Sequence, residues 1–292
     1  MPNDHEEARS RALDLRGLAL LSPGLVLFLY GSDHLGERIG TLALLVSVAL
    51  PAAFIRMALR KGDRALIDLE LFRSKTFPAS VVTEFLSNGI SFAGTMLIPI
   101  YLIRACGRTR SATGWLLARL GLGMICTYPW MGTLTKRYGI RKVSAGGALL
   151  AIAGTLLFLY LASHGLRLLV LSCAPFIRGM GLGSVGVPSI TAAFASVRKQ
   201  DLPIATTSLN IVQRLGGPTL TTLCATFLGW RLAAIHADAN LAGAFTAAFT
   251  LLCIFHALLF EVTPRLPVTI VKAKDEALGE PSPAFAQALS EQ

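Results

Sequence analysis

The chain has 292 residues, of which 53% are apolar and 15% are charged, and its formal net charge is +10. About a quarter of the residues in an ordinary soluble domain are charged, so this composition excludes a water-soluble globular protein and predicts an integral membrane protein. The basic residues lie in short segments between apolar runs, not along one amphipathic face with interleaved aromatic residues. That distribution excludes a nucleic-acid-binding protein.

Eight apolar segments follow one another along the chain, and a helix needs roughly 20 mostly apolar residues to cross a bilayer. The predicted transmembrane helices cover residues 17–31, 39–55, 78–103, 113–132, 143–163, 168–197, 202–229 and 241–260. The first segment is short and contains Pro23. We therefore expect an all-α membrane protein with about eight transmembrane helices.

The polar segments between these helices divide the chain into five parts. The predicted parts are a cytoplasmic N-terminal segment at 1–16, two transmembrane helices at 17–60, a cytoplasmic loop at 61–77, a six-helix transmembrane bundle at 78–262, and a disordered cytoplasmic tail at 263–292. The loop contains enough leucine to form a short helix at the membrane surface. The tail is polar and contains Pro281 and Pro283, which is typical of disorder.

The orientation follows from the lysine and arginine residues of the short loops, because basic residues accumulate on the cytoplasmic side. With the N-terminus inside, eighteen of them fall in cytoplasmic segments and six in external ones. This count predicts that both ends face the cytoplasm and that the protein lies in the inner or plasma membrane.

The cysteines and histidines indicate neither a disulfide framework nor a metal site. The five cysteines have no CxxC or similar spacing, and four of them lie inside apolar runs. His256 is a lone histidine on an apolar helix, where we expect a packed, hydrogen-bonded side chain. No cofactor is expected.

A glycine-punctuated basic motif separates the fourth and fifth predicted helices. Its residues are Gly132, Leu134, Lys136, Arg137, Gly139, Arg141 and Lys142. Gly132 is expected to let two helices approach closely, and Gly139 to allow the chain to reverse. The four basic side chains are expected to lie at anionic lipid headgroups.

A second glycine cluster matches the dinucleotide-binding spacing G-x-G-x-x-G at Gly181, Gly183 and Gly186. That fingerprint requires a preceding strand and an acidic residue about 20 positions later, whereas these glycines lie in an apolar run followed by basic residues. We therefore predict helix packing through small residues. The glycines assigned to packing are Gly179, Gly181, Gly183, Gly186, Gly216 and Gly217.

Polar and charged residues inside the predicted helices are the candidates for function. An arginine at the centre of a spanning helix costs about 2.5–3.5 kcal/mol on insertion scales, so it normally faces a cavity or a partner. The candidates for a transport cavity or its gating are Glu84, Arg178, Asn210, Gln213 and Arg214. The alternative for the arginines is structural, namely hydrogen bonding to carbonyls freed near glycine and proline. Arg119 lies nearer a helix end and is expected to reach the interface.

The motif at 132–142 resembles the cytoplasmic loop signature of the major facilitator superfamily, although Lys136 stands where the family usually has aspartate. That acid helps to latch one conformation in the family, so the resemblance does not extend to the latch. Segments 66–80, 176–193 and 205–218 resemble the fourteen-helix drug:proton antiporters of the EmrB/QacA type. The resemblance covers residues 13–264, and Arg178 falls where the family has arginine.

The resemblance implies a partial major facilitator fold, with two central helices followed by the C-terminal six-helix bundle. It implies proton-driven export of drug-like or other amphipathic small molecules, with a small-molecule substrate, a proton gradient and the lipid bilayer as partners. Residues 1–17 resemble the linker that follows the N-terminal bundle of that branch. We therefore expect a truncated form, inactive alone, that self-associates or needs the missing half, which carries the proton-coupling acids.

Two alternatives come from other functional classes. A non-transporting membrane scaffold or assembly partner is compatible with a single bundle. An intramembrane enzyme would require several acids, histidines or cysteines at one depth, and only Glu84, His256 and Glu261 are near candidates. The sequence does not identify the substrate.

Overall fold

The structure, a computed structural model, describes individual residues between 23 and 50, residue 71, and residues 74–198, 201–234 and 241–268. The chain divides into two compact units, Met1–Glu70 and Leu71–Gln292. The described residues of the first unit are helical and include a short apolar helix over Arg38–Ser47. The surface helix expected in the loop at 61–77 and the tail after residue 268 lie outside the described residues.

Six long helices form the second unit. They are α1 (Thr76–Arg104), α2 (Arg110–Tyr138), α3 (Ile140–His164), α4 (Leu168–Ala195), α5 (Leu202–Ala233) and α6 (Leu241–Val262), followed by a single 3-10 turn, Thr263–Arg265. Each helix coincides with one of the last six predicted transmembrane segments, with ends that differ by a few residues. No strand occurs in the described parts of the chain, and the predicted all-α membrane fold is confirmed.

Four of these helices, α1, α3, α4 and α6, are both long and apolar enough to cross a membrane. Helices α2 and α5 have 29 and 32 residues, which at 1.5 Å per residue is also sufficient length. They are more polar because α2 ends in Lys136 and Arg137 and α5 contains Gln213 and Arg214 near its middle. Contact with lipid therefore does not account for the polar residues in the middle of α5.

Helices α1 and α4 are the centre of the bundle. Helix α4 packs against α1, α2 and α3, and α1 also packs against α5 and α6. Aromatic side chains fill the space between α1, α3 and α6, where the Tyr101 ring meets Phe245 and Phe249 edge-on at centroid distances of 5.4 Å. Because lipid tails are as apolar as these side chains, close packing, not exclusion from water, stabilises the bundle.

The turn between α2 and α3 consists of one residue, Gly139. Its φ of +82° and ψ of 156° lie in a region that is essentially restricted to glycine, which agrees with the predicted reversal. The basic motif is therefore a helix end, a glycine and a helix start, not an extended loop. Gly132 has no described atom within 4 Å of a Cβ built on it, so the close helix approach expected there is wrong for the described chain.

The chain after α6 returns to this turn. The backbone N–H of Ile140 donates to the Val268 carbonyl at 3.0 Å, and Arg141 Nε donates to the Leu266 carbonyl at 2.9 Å. The Leu266 side chain is 0% exposed. The disorder predicted from residue 263 onwards is therefore wrong for residues 263–268, because burial and two hydrogen bonds hold them in place.

Candidate functional site

A buried carboxylate joins three helices of the bundle. Glu84, on α1, is 2% exposed. Its Oε1 accepts a hydrogen bond from the Ser189 hydroxyl of α4, and its Oε2 accepts one from Gln213 Nε2 of α5 at 2.8 Å. The two oxygens of one side chain are thus bound by two different helices.

The carboxylate is balanced by these hydrogen bonds and not by a cation. A buried charge is unfavourable unless it is paired or hydrogen-bonded, and within the described chain Glu84 forms no ion pair. Each hydrogen bond to a charged group contributes about 1.5–3 kcal/mol. A protonated Oε2 would oppose the Gln213 amide donor, so the bond to α5 depends on the charge of Glu84, whereas a protonated Oε1 could donate to the Ser189 hydroxyl, which also donates to the Gly186 carbonyl at 3.0 Å. Such a group is suited to hold a proton or to contact a cationic ligand.

Glycines bring α5 close enough to α1 for Gln213 to reach Glu84. A methyl group on Gly216 would overlap the Phe85 carbonyl of α1, and one on Gly217 would lie 3.2 Å from the Phe92 ring. The two helices therefore make backbone contact just beyond Gln213. A side chain larger than hydrogen at Gly216 would separate them and break the amide–carboxylate bond.

The glycines of α4 serve the same purpose toward α2 and α3. A Cβ on Gly179 would overlap the Leu120 backbone, one on Gly183 would lie 3.3 Å from Met124 Cα, and one on Gly181 would lie 2.6 Å from the carbonyl oxygen of Gly147. All of them lie inside a 28-residue helix, with no strand before it in the described chain. The contacts support helix packing and argue against a dinucleotide site. Gly186 differs, because a Cβ there would lie 4.0 Å from Glu84 Oε1, at ordinary contact distance.

Arg178 lies at the centre of the bundle and is 0% exposed. Its Nη2 donates to the Ile90 carbonyl of α1 at 2.7 Å. Gly94 of α1 and Gly154 of α3 leave the room for it, since a Cβ at Gly94 would overlap the guanidinium and one at Gly154 would lie 2.7 Å from Arg178 Cβ. Its Nε and Nη1 have no hydrogen-bond partner in the described residues. Arg178 therefore lies in the core and is hydrogen-bonded to a main-chain carbonyl, the kind of contact that the structural alternative predicted for the arginines.

His256 of α6 lies near this arginine and is also buried. Its Nδ1 is 2.8 Å from the Leu252 carbonyl oxygen, and its Nε2 is 3.3 Å from Thr155 Oγ1 of α3. The expectation of a packed, hydrogen-bonded histidine is confirmed. Glu84 and His256 belong to separate hydrogen-bonded clusters, so they do not form a joint acid–base pair.

The remaining candidates are divided between two faces. Asn210 and Arg214 are exposed on α5, whereas Gln213, between them in sequence, turns toward Glu84. Arg119 Nη1 donates to Ser172 Oγ at 2.7 Å, which ties α2 to α4 and differs from the expected reach to the interface. The structure therefore brings Glu84 and Gln213 together, but neither Arg178 nor Arg214 joins them.

Ser189 is the site residue that the sequence analysis missed. It lies three residues after Gly186 in an apolar run and is fully buried. A glutamate in a predicted spanning helix requires donors, and that requirement is the available signal. This requirement does not identify which neighbouring helix supplies the donors.

Residues 81–291, which begin at the sixth residue of α1 and include α2–α6, match the family model of the Major Facilitator Superfamily. The chain belongs to this superfamily. It is 30% identical over 239 residues to the multidrug resistance protein B homolog of Mycobacterium tuberculosis, covering 79% of this chain and 44% of that protein.

Two further relatives of this major facilitator carry related names. The putative multidrug resistance protein MdtD of Klebsiella pneumoniae is 32% identical over 184 residues, covering 62% of this chain and 38% of the relative. The colistin resistance protein EmrB of Acinetobacter baumannii is 25% identical over 225 residues, covering 76% and 43%. The predicted resemblance to the drug-efflux branch is confirmed. The chain spans less than half the length of these relatives.

Proposed function

We propose that this major facilitator takes part in proton-coupled export of drug-like amphipathic molecules across the cell membrane. The observation that carries the proposal is the Glu84 carboxylate, buried and shared by α1, α4 and α5. Family membership and the multidrug-resistance names of the relatives support transport as the activity.

The charge of Glu84 offers a route from proton binding to helix movement. The ionised carboxylate holds the Ser189 hydroxyl and the Gln213 amide at once. A proton on Oε2 turns that oxygen into a donor facing the Gln213 amide and weakens the bond to α5, whereas the Ser189 hydroxyl of α4 can accept as well as donate. The equilibrium between two arrangements of α1, α4 and α5 would then follow protonation, as alternating access requires.

The exposed polar face of α5 indicates a second protein surface. Asn210 and Arg214 lie on a helix long enough to span the membrane, and a charged side chain facing lipid is costly. Transporter sites of this type lie between two bundles near the bilayer midplane. We propose that this face meets a second bundle, either one supplied by an N-terminal half or a second copy of this chain.

Residues 1–292 expressed alone are expected to insert into the membrane without exporting dye. The test measures efflux of several cationic dyes, under a proton gradient, from an export-deficient host. The comparison is co-expression with a six-helix N-terminal half from the same branch of the superfamily, which is expected to restore efflux because it supplies the second wall of the cavity.

Efflux by the chain alone that an uncoupler abolishes would instead favour a transporting homodimer. A pair that assembles at normal membrane abundance and moves no substrate would contradict the transport proposal. That result would support the alternative of a non-transporting scaffold.

We also propose that both ends of the chain face the cytoplasm, which puts Cys106, between α1 and α2, on the external side. An impermeant maleimide added to intact cells is expected to label Cys106 in preference to the other cysteines, which lie inside helices. Labelling of Cys106 only after permeabilisation would reverse the orientation.

The pH dependence of the labelling rate tests the environment of the Cys106 thiol. Burial raises the pKa of the Cys106 thiol above its ordinary value, and the smaller effects of the Tyr101 hydroxyl and the Arg108 guanidinium oppose the rise. Because the thiolate is the reactive form, labelling is expected to be slow at pH 7 and to increase about tenfold per pH unit until the raised pKa is reached. A rate that levels off below the ordinary thiol pKa would contradict this environment.

A further inference from the structure

A groove of about 370 Å³ lies between α2 and α3, next to their common turn. Its walls include Leu134 and Tyr138 of α2 and Val143 and Leu150 of α3, and Ser184 of α4 forms part of the floor. The Ser184 hydroxyl donates to the Met180 carbonyl at 2.8 Å, so its proton is already engaged. The groove is thus an apolar slot that opens on the side of the bundle.

Two adjacent glycines create this slot. Gly147 packs tightly on α4, where an added Cβ would lie 2.6 Å from Ser184 Cβ. Gly146 faces the groove, and no described atom lies within 4 Å of a Cβ built there. A side chain at position 146 would therefore occupy the groove without disturbing the helix contact.

The mouth of the groove carries positive charge without a matching acid. Lys142 lines it, and Lys136 and Arg137 are exposed in the last turn of α2. None of the three forms an ion pair with a carboxylate in the described chain. The Arg137 guanidinium lies 5.3 Å from the centre of the Tyr138 ring, which is 47% exposed.

The aromatic residues on α2 place this end of the helix at a membrane surface. Trp130 and Tyr138 are both exposed and lie two helical turns apart on the face that also carries Leu134. Tryptophan and tyrosine are enriched where the hydrocarbon core meets the headgroups. The charged mouth therefore lies at headgroup level, and the apolar slot extends from it into the bilayer.

We propose that this groove binds an anionic phospholipid, with its phosphate at Lys142 and Arg137 and one acyl chain between Leu134 and Val143. Two cations without acidic partners in the described chain complement a phosphate, and an apolar slot open to the hydrocarbon region complements an acyl chain. Anionic lipids are concentrated in the cytoplasmic leaflet, the side on which the basic-residue count puts this turn. The inference is independent of the proposed transport function.

The test uses the whole 292-residue chain. It is purified in detergent, reconstituted into mixed vesicles of phosphatidylcholine and phosphatidylglycerol, and extracted again. Retained lipid is counted by native mass spectrometry, and thermal unfolding is measured with each lipid and with inorganic phosphate. Lys142→Gln removes the charge at the mouth, and Gly146→Leu fills the slot. The matched controls are Arg110→Gln and Gly114→Leu, at the other end of α2, where Gly114 also has open space.

The parent is expected to retain phosphatidylglycerol over phosphatidylcholine and to be stabilised by it, whereas inorganic phosphate has no effect. Lys142→Gln is expected to weaken phosphatidylglycerol retention about fivefold, which corresponds to about 1 kcal/mol for one cation near an anionic surface. Gly146→Leu is expected to reduce retention of both lipids, and both controls are expected to match the parent.

Equal retention of the two lipids by the parent, or unchanged retention in Lys142→Gln, would overturn the proposal. Stabilisation by inorganic phosphate alone would show a site for a free anion instead of a lipid. If Gly146→Leu loses helicity, Gly146→Ala fills part of the slot and is expected to give an intermediate loss.

Discussion

Export is expected to lose its dependence on the proton gradient when Glu84 is replaced by glutamine. The amide keeps the shape of the side chain and part of its hydrogen bonding to Ser189 and Gln213, but it cannot ionise. In the co-expressed pair, efflux of a cationic dye against its gradient should fall at least about tenfold. A tenfold change corresponds to a free-energy difference of about 1.4 kcal/mol. Substrate binding and membrane abundance should remain close to those of the parent.

Measurements of unfolding stability separate an effect of Glu84 on proton coupling from an effect on folding. Glu84→Ala leaves the Gln213 amide without its acceptor, whereas the Ser189 hydroxyl keeps the Gly186 carbonyl, and the variant is expected to lower the free energy of unfolding by about 1–3 kcal/mol. Ser189→Ala and Gln213→Ala each remove one bond, and a double-mutant cycle with Glu84→Gln measures each pair directly. If Glu84→Gln pumps normally, or if both cycles give coupling energies near zero, the carboxylate has no part in energy conversion.

Arg178→Met is expected to give opposite effects on stability and on export. The variant fills most of the arginine's volume and removes a buried charge, two of whose nitrogens have no hydrogen-bond partner among the described residues, and such replacements are often neutral or stabilising. The thermal unfolding temperature should therefore be unchanged or higher. Export should fall about tenfold or more, because α4 loses its hydrogen bond to the Ile90 carbonyl on α1.

Two further variants serve as the comparison for Arg178. Arg178→Lys keeps the charge but lacks the planar guanidinium, and only partial export is expected. Arg178→Ala leaves a cavity and is expected to be both less stable and inactive, although still inserted. Normal export by Arg178→Met at equal membrane abundance would assign the arginine a packing role alone.

The helices of the second unit could be predicted because a bilayer leaves the backbone few alternatives. An apolar run of about 20 residues must satisfy its own hydrogen bonds, and a helix does so. The end of α2 was less predictable, since the apolar run stops near Gly132 whereas the helix continues to Tyr138. Lys136 and Arg137 lie in the last turn of the helix, and Gly139 ends it.

The site was predictable only in part, because the sequence shows which side chains are charged but does not show which helices touch. Glu84 and Arg178 stand out as charges in apolar runs, but their partners do not. Ser189 also donates to the Gly186 carbonyl of its own helix, as many hydroxyl residues do, and the Ile90 carbonyl has no signature in the sequence. Both partners follow from which helices touch, and the touching helices are set by backbone contact at residues such as Gly216 and Gly154.

The return of the chain from α6 to the α2–α3 turn determines how the protein responds to mechanical force. Tension applied at the C-terminus reaches Val268 and Leu266 before it reaches α6. It must first break the two hydrogen bonds to Ile140 and Arg141 and withdraw the buried Leu266 side chain. The load is therefore shared with the α2–α3 end of the bundle, and extraction does not begin by unravelling α6 alone.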